Sequence, residues 1–302
     1  MKAVEIKGII PPIITPMNDD ESINVTELRA QVNRQIEGGV HAIFCFGTNG
    51  EGYILNGKEK ELVLRTVIEE TNGRVPVYAG TGCISTKETI EQSRMAQSLG
   101  ADVLSIITPS FAAASQNELY EHYKAVAEAV DMPIVLYNIP ARTGNALAPA
   151  TVAKLAQIDN IVGAKDSSGN FTNILAYIDA GKSKKNGTFS TLSGNDQLII
   201  WNLLAGGTGG IAGCANVYPH VMASIYNLFM EGKIEEAKAA NASIASFRAC
   251  FKYGNPNTIV KTAVAMLGYN VGKCRAPFNQ VPEEGVKALE KVLKENAEKG
   301  MC

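Results

Sequence analysis

The most informative residue of this sequence is Lys165, which directly follows a short apolar run. The run covers residues 161–164 and reads Ile-Val-Gly-Ala, which is typical of a buried strand, and the polar stretch Asp-Ser-Ser-Gly-Asn comes after the lysine. Burial among apolar neighbours removes water from an ammonium group and favours the neutral amine. Because a neutral amine attacks a ketone to form a Schiff base, this position predicts covalent catalysis. The alternative is a strand-end lysine whose stem lies on apolar surface while its ammonium reaches water.

Three further features have the residue types that such chemistry needs. Residues 47–52 read Gly-Thr-Asn-Gly-Glu-Gly, in which N–H groups between glycines converge on a carboxylate and Thr48 adds a hydroxyl donor. A tight turn with a helix cap is the alternative there. Tyr137 ends another apolar run, where a phenol either carries protons during imine formation or is a core aromatic. Arg142 either binds a second carboxylate through two parallel hydrogen bonds or is a surface cation.

The elements that must position these residues follow a regular alternation of short apolar runs and longer amphipathic stretches. This pattern is typical of βα units around a parallel sheet. Strands are predicted over residues 8–15, 41–46, 75–80, 102–108, 134–138, 161–165, 189–193 and 209–213. Helices are predicted over residues 26–38, 58–71, 86–99, 117–130, 150–157, 172–180, 196–205 and 219–230.

Capping residues support these boundaries. Asn24 and Ser85 each stand three residues before a glutamate, a pattern that begins helices. Gly38, Gly39 and Gly100 stand where helices are predicted to end, since glycine readily closes the last turn.

Eight βα units within residues 1–230 have the size of a (β/α)8 TIM barrel, and we predict this α/β fold for the catalytic domain. Barrel enzymes keep their chemistry at the carboxyl ends of the strands, where the candidate residues stand. A doubly wound open sheet is the alternative, but it usually has a glycine-rich turn where residues 15–18 read Thr-Pro-Met-Asn. Residues 231–302 predict a C-terminal extension of three helices, over 233–252, 257–267 and 282–298, packed on the barrel.

Composition and charge narrow the function classes. The 302 residues are 46% hydrophobic and 19% charged with a net charge of −2, so we expect no nucleic-acid or membrane partner. No apolar run approaches the roughly 20 residues that cross a bilayer, and the charged first residues predict no secretory leader. Six cysteines without CxxC pairing and three histidines without ligand spacing predict neither a metal nor a cofactor. Dispersed thiols favour a cytoplasmic protein.

Taken together, the motifs resemble those of the dihydrodipicolinate synthase / N-acetylneuraminate lyase family of pyruvate-handling class I aldolases. The matching segments are residues 47–51, 137–144, 163–166 and 209–213, with a similar tail motif at Asn255, Pro256 and Lys261. The resemblance covers nearly the whole chain. It implies a (β/α)8 barrel with a C-terminal helical extension, assembled as a homotetramer that is a dimer of dimers.

The resemblance also implies a role for each candidate residue. Lys165 forms the imine with pyruvate or another 2-oxo acid, and Tyr137 transfers protons as the imine and the enamine form. Thr48 joins these two as a catalytic residue. The residues implied to bind substrate are Thr48, Asn49, Arg142, Gly194 and Ile211.

The resemblance implies that Arg142 determines which second substrate the protein binds. Its Arg-Thr-Gly context resembles dihydrodipicolinate synthases, in which this arginine binds the carboxylate of aspartate 4-semialdehyde, whereas sialic-acid lyases lack it. The resemblance therefore implies condensation of pyruvate with aspartate 4-semialdehyde, a step of lysine and diaminopimelate biosynthesis.

Two departures from the synthase pattern support an alternative. Synthases usually carry two tyrosines where this chain has Ser110 and Phe111, and one of them completes a Tyr–Thr–Tyr proton relay across a dimer interface. Asn49 stands where synthases have threonine. These residues, with the alanines at 112–114, favour an aldolase for a 2-keto-3-deoxy sugar acid, for 4-hydroxy-2-oxoglutarate or of the N-acetylneuraminate type. A barrel that binds a 2-oxo acid as a non-catalytic sensor is a third interpretation.

Overall fold

The computed structural model describes residues 4–301, so that Cys302 and part of the charged N-terminus lie outside the described residues. Within this range the strands are β1 (Gly8–Ile10), β2 (Ile43–Cys45), β3 (Val77–Gly80), β4 (Val103–Ile107), β5 (Ile134–Asn138), β6 (Ile161–Asp166), β7 (Ser190–Ser193) and β8 (Gly209–Ile211). They form one sheet in the order β1-β8-β7-β6-β5-β4-β3-β2, and successive strands from β3 to β8 pair in parallel.

Helices connect each strand to the next. Between strands they are α1 (Val25–Glu37), α2 (Gly57–Thr71), α3 (Thr86–Leu99), α4 (Gln116–Ala129), α5 (Pro140–Thr143), α6 (Pro149–Leu155), α7 (Phe171–Lys182) and α8 (Ile199–Leu204). After β8 come α9 (Pro219–Met230), α10 (Ile234–Ser243), α11 (Ala245–Ala249), α12 (Pro256–Met266) and α13 (Glu283–Glu298). The described part of the chain thus has the eight-stranded topology of a (β/α)8 TIM barrel, which confirms the predicted fold class.

The predicted C-terminal helices are present, with one difference. The stretch expected as a single helix over 233–252 is divided into α10 and α11 and ends in a short 3₁₀ turn, Cys250–Tyr253. No helix among residues 4–301 has the length and apolar character that crossing a membrane would require.

Contacts divide the described chain into two compact units. One unit comprises residues 4–8 and 76–211 and includes β3 to β7. The other comprises residues 9–75 and 212–301 and includes β2 together with the C-terminal helices. The predicted division into residues 1–230 and 231–302 stays a prediction.

The first strand is shorter than its apolar run. We expected it to reach Thr15, but β1 ends at Ile10. Pro11 and Pro12 follow, and proline has no N–H to donate to a neighbouring strand. Pro12 keeps only an isolated bridge to residue 44, and the chain continues as a buried segment.

Helix α1 and helix α3 begin at the predicted caps. The Asn24 side chain accepts a hydrogen bond from the Glu27 N–H at 3.0 Å, and the Ser85 hydroxyl accepts one from the Glu88 N–H at 3.1 Å. Gly100 closes α3 with a φ of 91°, in the left-handed region that favours glycine. These local signals position the helices that support the strand ends.

Candidate active site

Two polar side chains lie together near the carboxyl ends of β5 and β6. Tyr137 and Lys165 are paired across these parallel strands, each one residue before its strand ends. The Lys165 Nζ atom lies 3.7 Å from the centroid of the Tyr137 ring, and the two residues are 4% and 3% exposed. The structure therefore brings the predicted nucleophile and the predicted proton carrier together as one buried pair.

A shift in strand register sets this pairing. The offset between β5 and β6 changes by one residue between Ile134 and Val135, where β6 carries an extra residue. Side chains alternate between the two faces of a sheet. Without the shift, Ala164 would stand opposite Tyr137, and Lys165 would turn to the other face.

Gly194 leaves room for the lysine side chain. It follows β7, and its N–H donates to the Asp166 carbonyl oxygen at 2.7 Å. A Cβ atom at this position would lie 2.9 Å from Cε of Lys165 and would collide with the Ser167 hydroxyl. The predicted substrate-binding Gly194 thus lies beside the lysine, and its lack of a side chain is what permits the lysine's position.

The opposite face of the strand pair holds a buried carboxylate that the sequence does not single out. Asp166 is 0% exposed, and its Oδ1 accepts from the side-chain amides of Asn138 at 2.7 Å and Asn173 at 2.9 Å. Its Oδ2 accepts from the Ser168 hydroxyl at 2.6 Å. Hydrogen bonds from neutral donors replace water around this charge. Because Asn138 and Asp166 directly follow the tyrosine and the lysine, this contact joins the ends of both strands.

Two other buried tyrosines of the same unit have structural hydrogen bonds to the backbone. The Tyr123 hydroxyl donates to the Ile106 carbonyl oxygen at 3.0 Å, and the Tyr177 hydroxyl donates to the Leu147 carbonyl oxygen at 2.6 Å. Burial raises the pKa of Tyr123 and of Tyr177 well above the ordinary phenol value. Both phenols therefore act as neutral donors to the backbone.

The arginine predicted to bind a second carboxylate lies on the short helix α5. Arg142 is exposed there. The next residue, Thr143, is buried: its hydroxyl accepts from the Thr108 hydroxyl and donates to the Asn145 carbonyl oxygen, both at 2.9 Å. These bonds anchor α5 to the segment after β4 while the guanidinium stays at the surface.

A second residue that the sequence does not single out, Asn145, shapes the loop after β4. Its side-chain amide donates to the carbonyl oxygens of Pro109 at 2.9 Å and Ala112 at 2.8 Å, and its Oδ1 accepts from the Ala114 N–H at 2.8 Å. Within this loop Phe111 has a φ of 79° and is 98% exposed. Because the left-handed region costs a non-glycine residue about 1–2 kcal/mol, the three bonds from Asn145 help to hold that conformation.

The predicted carboxylate-binding residues lie on a turn after β2, in the other unit. Residues Thr48–Gly50 form a 3₁₀ turn in which the Gly50 N–H donates to the Gly47 carbonyl oxygen at 3.0 Å. The first N–H groups of such a turn point out of it. Thr48 is half-buried and Asn49 is 8% exposed. A Cβ atom at Gly50 would lie 2.7 Å from the Ile13 carbonyl oxygen, so this close approach requires glycine.

The last predicted site residue, Ile211, ends β8 and is 1% exposed. Across residues 4–301, no group of three His, Cys, Asp or Glu side chains converges as metal ligands. An amine beside a phenol, as in the Lys165–Tyr137 pair, is a combination of groups that can add to a carbonyl and move protons.

The chain is similar to known proteins in both sequence and structure. A sequence profile of the dihydrodipicolinate synthetase family matches residues 5–296. The chain is 39% identical to a 4-hydroxy-tetrahydrodipicolinate synthase of Methanopyrus kandleri, over 96% of each chain. It is 34% identical to an uncharacterised DapA-like lyase of Halobacterium salinarum, over 94% of this chain and 92% of that one. A crystal structure of the chloride-inhibited dihydrodipicolinate synthase of Acinetobacter baumannii with pyruvate matches with a TM-score of 0.93 at 35% identity, over 99% and 100% of the two chains.

Replacing Asp166 with asparagine should destabilise the protein. In Asp166→Asn one carboxylate oxygen becomes an N–H₂ group, which would face either the two amide donors now bound to Oδ1 or the Ser168 hydroxyl, which now donates to Oδ2 and accepts from the Asn170 N–H. The three donors also lose a charged acceptor. We expect the free energy of unfolding to fall by about 1.5–3 kcal/mol, measured by urea denaturation at a fixed protein concentration. The matched control is Asp179→Asn, whose exposed carboxylate pairs with the exposed Lys182. Equal losses in both variants would contradict the role assigned to Asp166.

Proposed function

The chain belongs to the dihydrodipicolinate synthetase family, a family of lyases, and on that premise we propose that it forms a Schiff base with pyruvate. We propose further that it condenses this pyruvate with aspartate 4-semialdehyde, as a 4-hydroxy-tetrahydrodipicolinate synthase. The observation that carries the proposal is the buried Lys165 amine, 3.7 Å from the Tyr137 ring centroid. The similarity to 4-hydroxy-tetrahydrodipicolinate synthases supports the choice of substrates.

The covalent step requires an amine and a proton carrier at one place. The neutral amine of Lys165 adds to the keto carbon of pyruvate, and the resulting carbinolamine loses water to give the imine. Tyr137 supplies a proton to the departing hydroxyl. The Tyr137 phenolate takes up a methyl proton to give the enamine, whose carbon attacks the aldehyde of the second substrate, and the phenol returns a proton to the alkoxide that forms. The amino group of the semialdehyde then attacks the imine carbon and displaces the Lys165 amine, so that ring closure releases a cyclic product that keeps its hydroxyl group, and no second water is lost.

The remaining candidate residues bind and orient the pyruvate. Thr48 and Asn49 hold the pyruvate carboxylate through N–H and side-chain donors, and Thr48 also takes part in proton transfer. Gly194 and Ile211 lie beside the pyruvate that is bound to Lys165. The geometry of the 3₁₀ turn, with outward N–H groups between close-packed glycines, supports the carboxylate assignment.

Arg142 binds the carboxylate of the second substrate in this proposal. An exposed guanidinium is accessible to an incoming anion and offers two parallel hydrogen bonds. It therefore favours an aldehyde that carries a carboxylate, as aspartate 4-semialdehyde does.

A related aldolase activity is the second candidate, because of the loop that carries Phe111. Phe111 is almost fully exposed and has no hydroxyl to pass a proton, and Ala112 and Ala113 beside it are exposed as well. This less polar surface favours a 2-keto-3-deoxy sugar acid, 4-hydroxy-2-oxoglutarate or an N-acetylneuraminate-type substrate. Both candidates use Lys165 and Tyr137 in the same way.

The biological setting follows from the proposed reaction. We propose that the enzyme is a homotetramer that acts in the cytoplasm, in lysine and diaminopimelate biosynthesis. The family resemblance supports the tetramer. The free thiols of Cys45, Cys83, Cys214, Cys250 and Cys274 support a reducing compartment.

Borohydride reduction in the presence of pyruvate tests the Schiff base. We expect the mass of one reduced pyruvate adduct on the peptide that contains Lys165, and no adduct in Lys165→Ala. The exposed Lys182 provides the control, since Lys182→Ala should be labelled like the wild-type protein. A wild-type protein that stays unlabelled, or is labelled at another lysine, would contradict the proposal.

Removing one hydroxyl tests the proton carrier. Tyr137→Phe should slow imine formation by about 10²–10⁴-fold because the phenol no longer transfers a proton. The rate is measured by adding borohydride to samples at successive times and quantifying the trapped adduct. Tyr123→Phe removes another buried hydroxyl of the same unit and should leave the rate nearly unchanged. A slowing below about threefold in Tyr137→Phe would remove this residue from the mechanism.

Substrate profiling separates the synthase from the aldolases. We expect faster turnover with pyruvate plus aspartate 4-semialdehyde than with a panel of 2-keto-3-deoxy acids, in coupled assays. Arg142→Met should raise the KM for the semialdehyde about tenfold or more and leave the half-saturating pyruvate concentration unchanged. Arg94→Met, at another arginine of the same unit, is the control.

Each outcome of that profiling has one interpretation. Equal or faster turnover of the sugar acids would replace the synthase assignment with the aldolase assignment. Labelling of Lys165 without turnover of any substrate would identify a 2-oxo acid sensor.

A further inference from the structure

A fully buried ion pair lies directly after the turn that holds Thr48 and Asn49. Glu51 Oε1 accepts from Lys261 Nζ at 2.8 Å, and the two side chains are 0% and 1% exposed. The partners are 210 positions apart in the sequence, and Lys261 belongs to helix α12 of the C-terminal region. Both residues belong to the same compact unit.

The other oxygen of the same carboxylate is also bound. Glu51 Oε2 accepts from the backbone N–H of Arg275 at 2.8 Å, so each oxygen has a donor from the C-terminal region. The Arg275 guanidinium makes two hydrogen bonds to Glu59, on the helix that follows the turn. The nearby thiol of Cys274 is affected by the same carboxylate. Its pKa is raised to about 12, mainly by burial and to a smaller extent by the charge of Glu51.

The backbone of Glu51 closes the 3₁₀ turn. Its N–H donates to the Thr48 carbonyl oxygen at 3.1 Å, and its φ of 57° lies in the left-handed region. This region favours glycine and disfavours other residues. A glutamate here is therefore explained by its side chain rather than by its backbone conformation.

Stability alone does not explain the pair. Removing two charges from water is so costly that a buried ion pair is often no more stabilising than apolar residues of the same shape. What the pair provides is a fixed position, because two oxygens with two donors permit one orientation of the carboxylate. The turn has a second anchor of the same kind, since the Thr15 hydroxyl donates to the Gly50 carbonyl oxygen at 2.7 Å.

We propose that Glu51 and Lys261 are positioning residues for pyruvate: the buried pair holds the turn of residues 48–50 so that its N–H groups and the Thr48 hydroxyl face the substrate carboxylate. This inference rests on the proposed function. It assigns to the C-terminal helices a part in substrate binding, through α12, in addition to packing. Both side chains are buried and bound to each other, so in this proposal both act through the turn.

The test measures pyruvate binding and turnover separately. In Glu51→Gln the side chain keeps its shape and loses its charge, so its contact with the Lys261 ammonium weakens and the turn becomes mobile. We expect the pyruvate concentration that half-saturates borohydride trapping to rise about tenfold or more. The kcat at saturating pyruvate should change by less than about threefold, and the KM for the second substrate should not change.

Two further variants make the result independent of folding. Glu51→Gln combined with Lys261→Met removes both charges and leaves no unpaired buried ion, and it should show the same rise in half-saturating pyruvate. Tyr218→Phe is the matched control: it takes away the buried hydroxyl that accepts from the Asn296 side-chain amide at 2.9 Å in the same unit. It should lower the melting temperature without changing the half-saturating pyruvate concentration.

The outcomes distinguish this inference from the proposed function. A wild-type protein that pyruvate and borohydride do not label would refute the proposed function itself. A labelled wild type, together with folded variants whose half-saturating pyruvate concentration is unchanged, would overturn only the positioning role. If Glu51→Gln does not fold, the double variant decides, and failure of both to fold would show that the pair serves folding instead.

Discussion

The register between β5 and β6 is the constraint on which the pairing of Tyr137 with Lys165 depends. One extra residue in β6 changes the pairing, so that Tyr137 faces Lys165 and Asn138 faces Asp166. On its other side β6 approaches β7 closely at Gly163, where a Cβ would lie 2.6 Å from the Ser190 carbonyl oxygen, so this approach requires glycine. A slip by one residue would move the amine and the phenol to opposite faces. The fold thus builds the reactive pair through backbone pairing, before any side-chain contact.

Space around the reactive groups is provided by missing side chains. A packed protein interior leaves few voids, so the buried lysine side chain needs neighbours that stay small. Gly194 meets this need beside Lys165, and Gly50 meets it where the 3₁₀ turn of residues 48–50 approaches residue 13. Both glycines are required by close approach, and in neither case does a positive φ explain them.

The buried carboxylates and the exposed side chains near the strand ends have different roles in this protein. Asp166 and Glu51 are both fully buried, and each has hydrogen-bond donors on both carboxylate oxygens, so each fixes the segment that carries it. Arg142 and Phe111 lie instead at the surface, on segments anchored by Asn145 and its neighbours. The Lys165–Tyr137 pair is therefore buried, whereas the groups proposed to meet the second substrate lie on connecting segments, where variation costs little stability.

Local sequence patterns determined the identity and order of the elements. The alternation of apolar runs and amphipathic stretches predicted β5, α3 and α9 with the bounds that the structure has, and it placed Lys165 and Tyr137 at strand ends. The capping side chains of Asn24 and Ser85 act as predicted. These features depend on neighbours a few residues away, which is why a single sequence contains them.

Only the tertiary structure decided which distant groups meet. The sequence contains Glu51 and Lys261 within recognisable motifs, but nothing local to either residue predicts that they form one ion pair. The same holds for the carboxylate of Asp166 and for the three bonds of Asn145. The partner of a buried polar group is set by the packing of whole strands and helices and by the need to satisfy every desolvated charge. No periodicity along the chain encodes that partner.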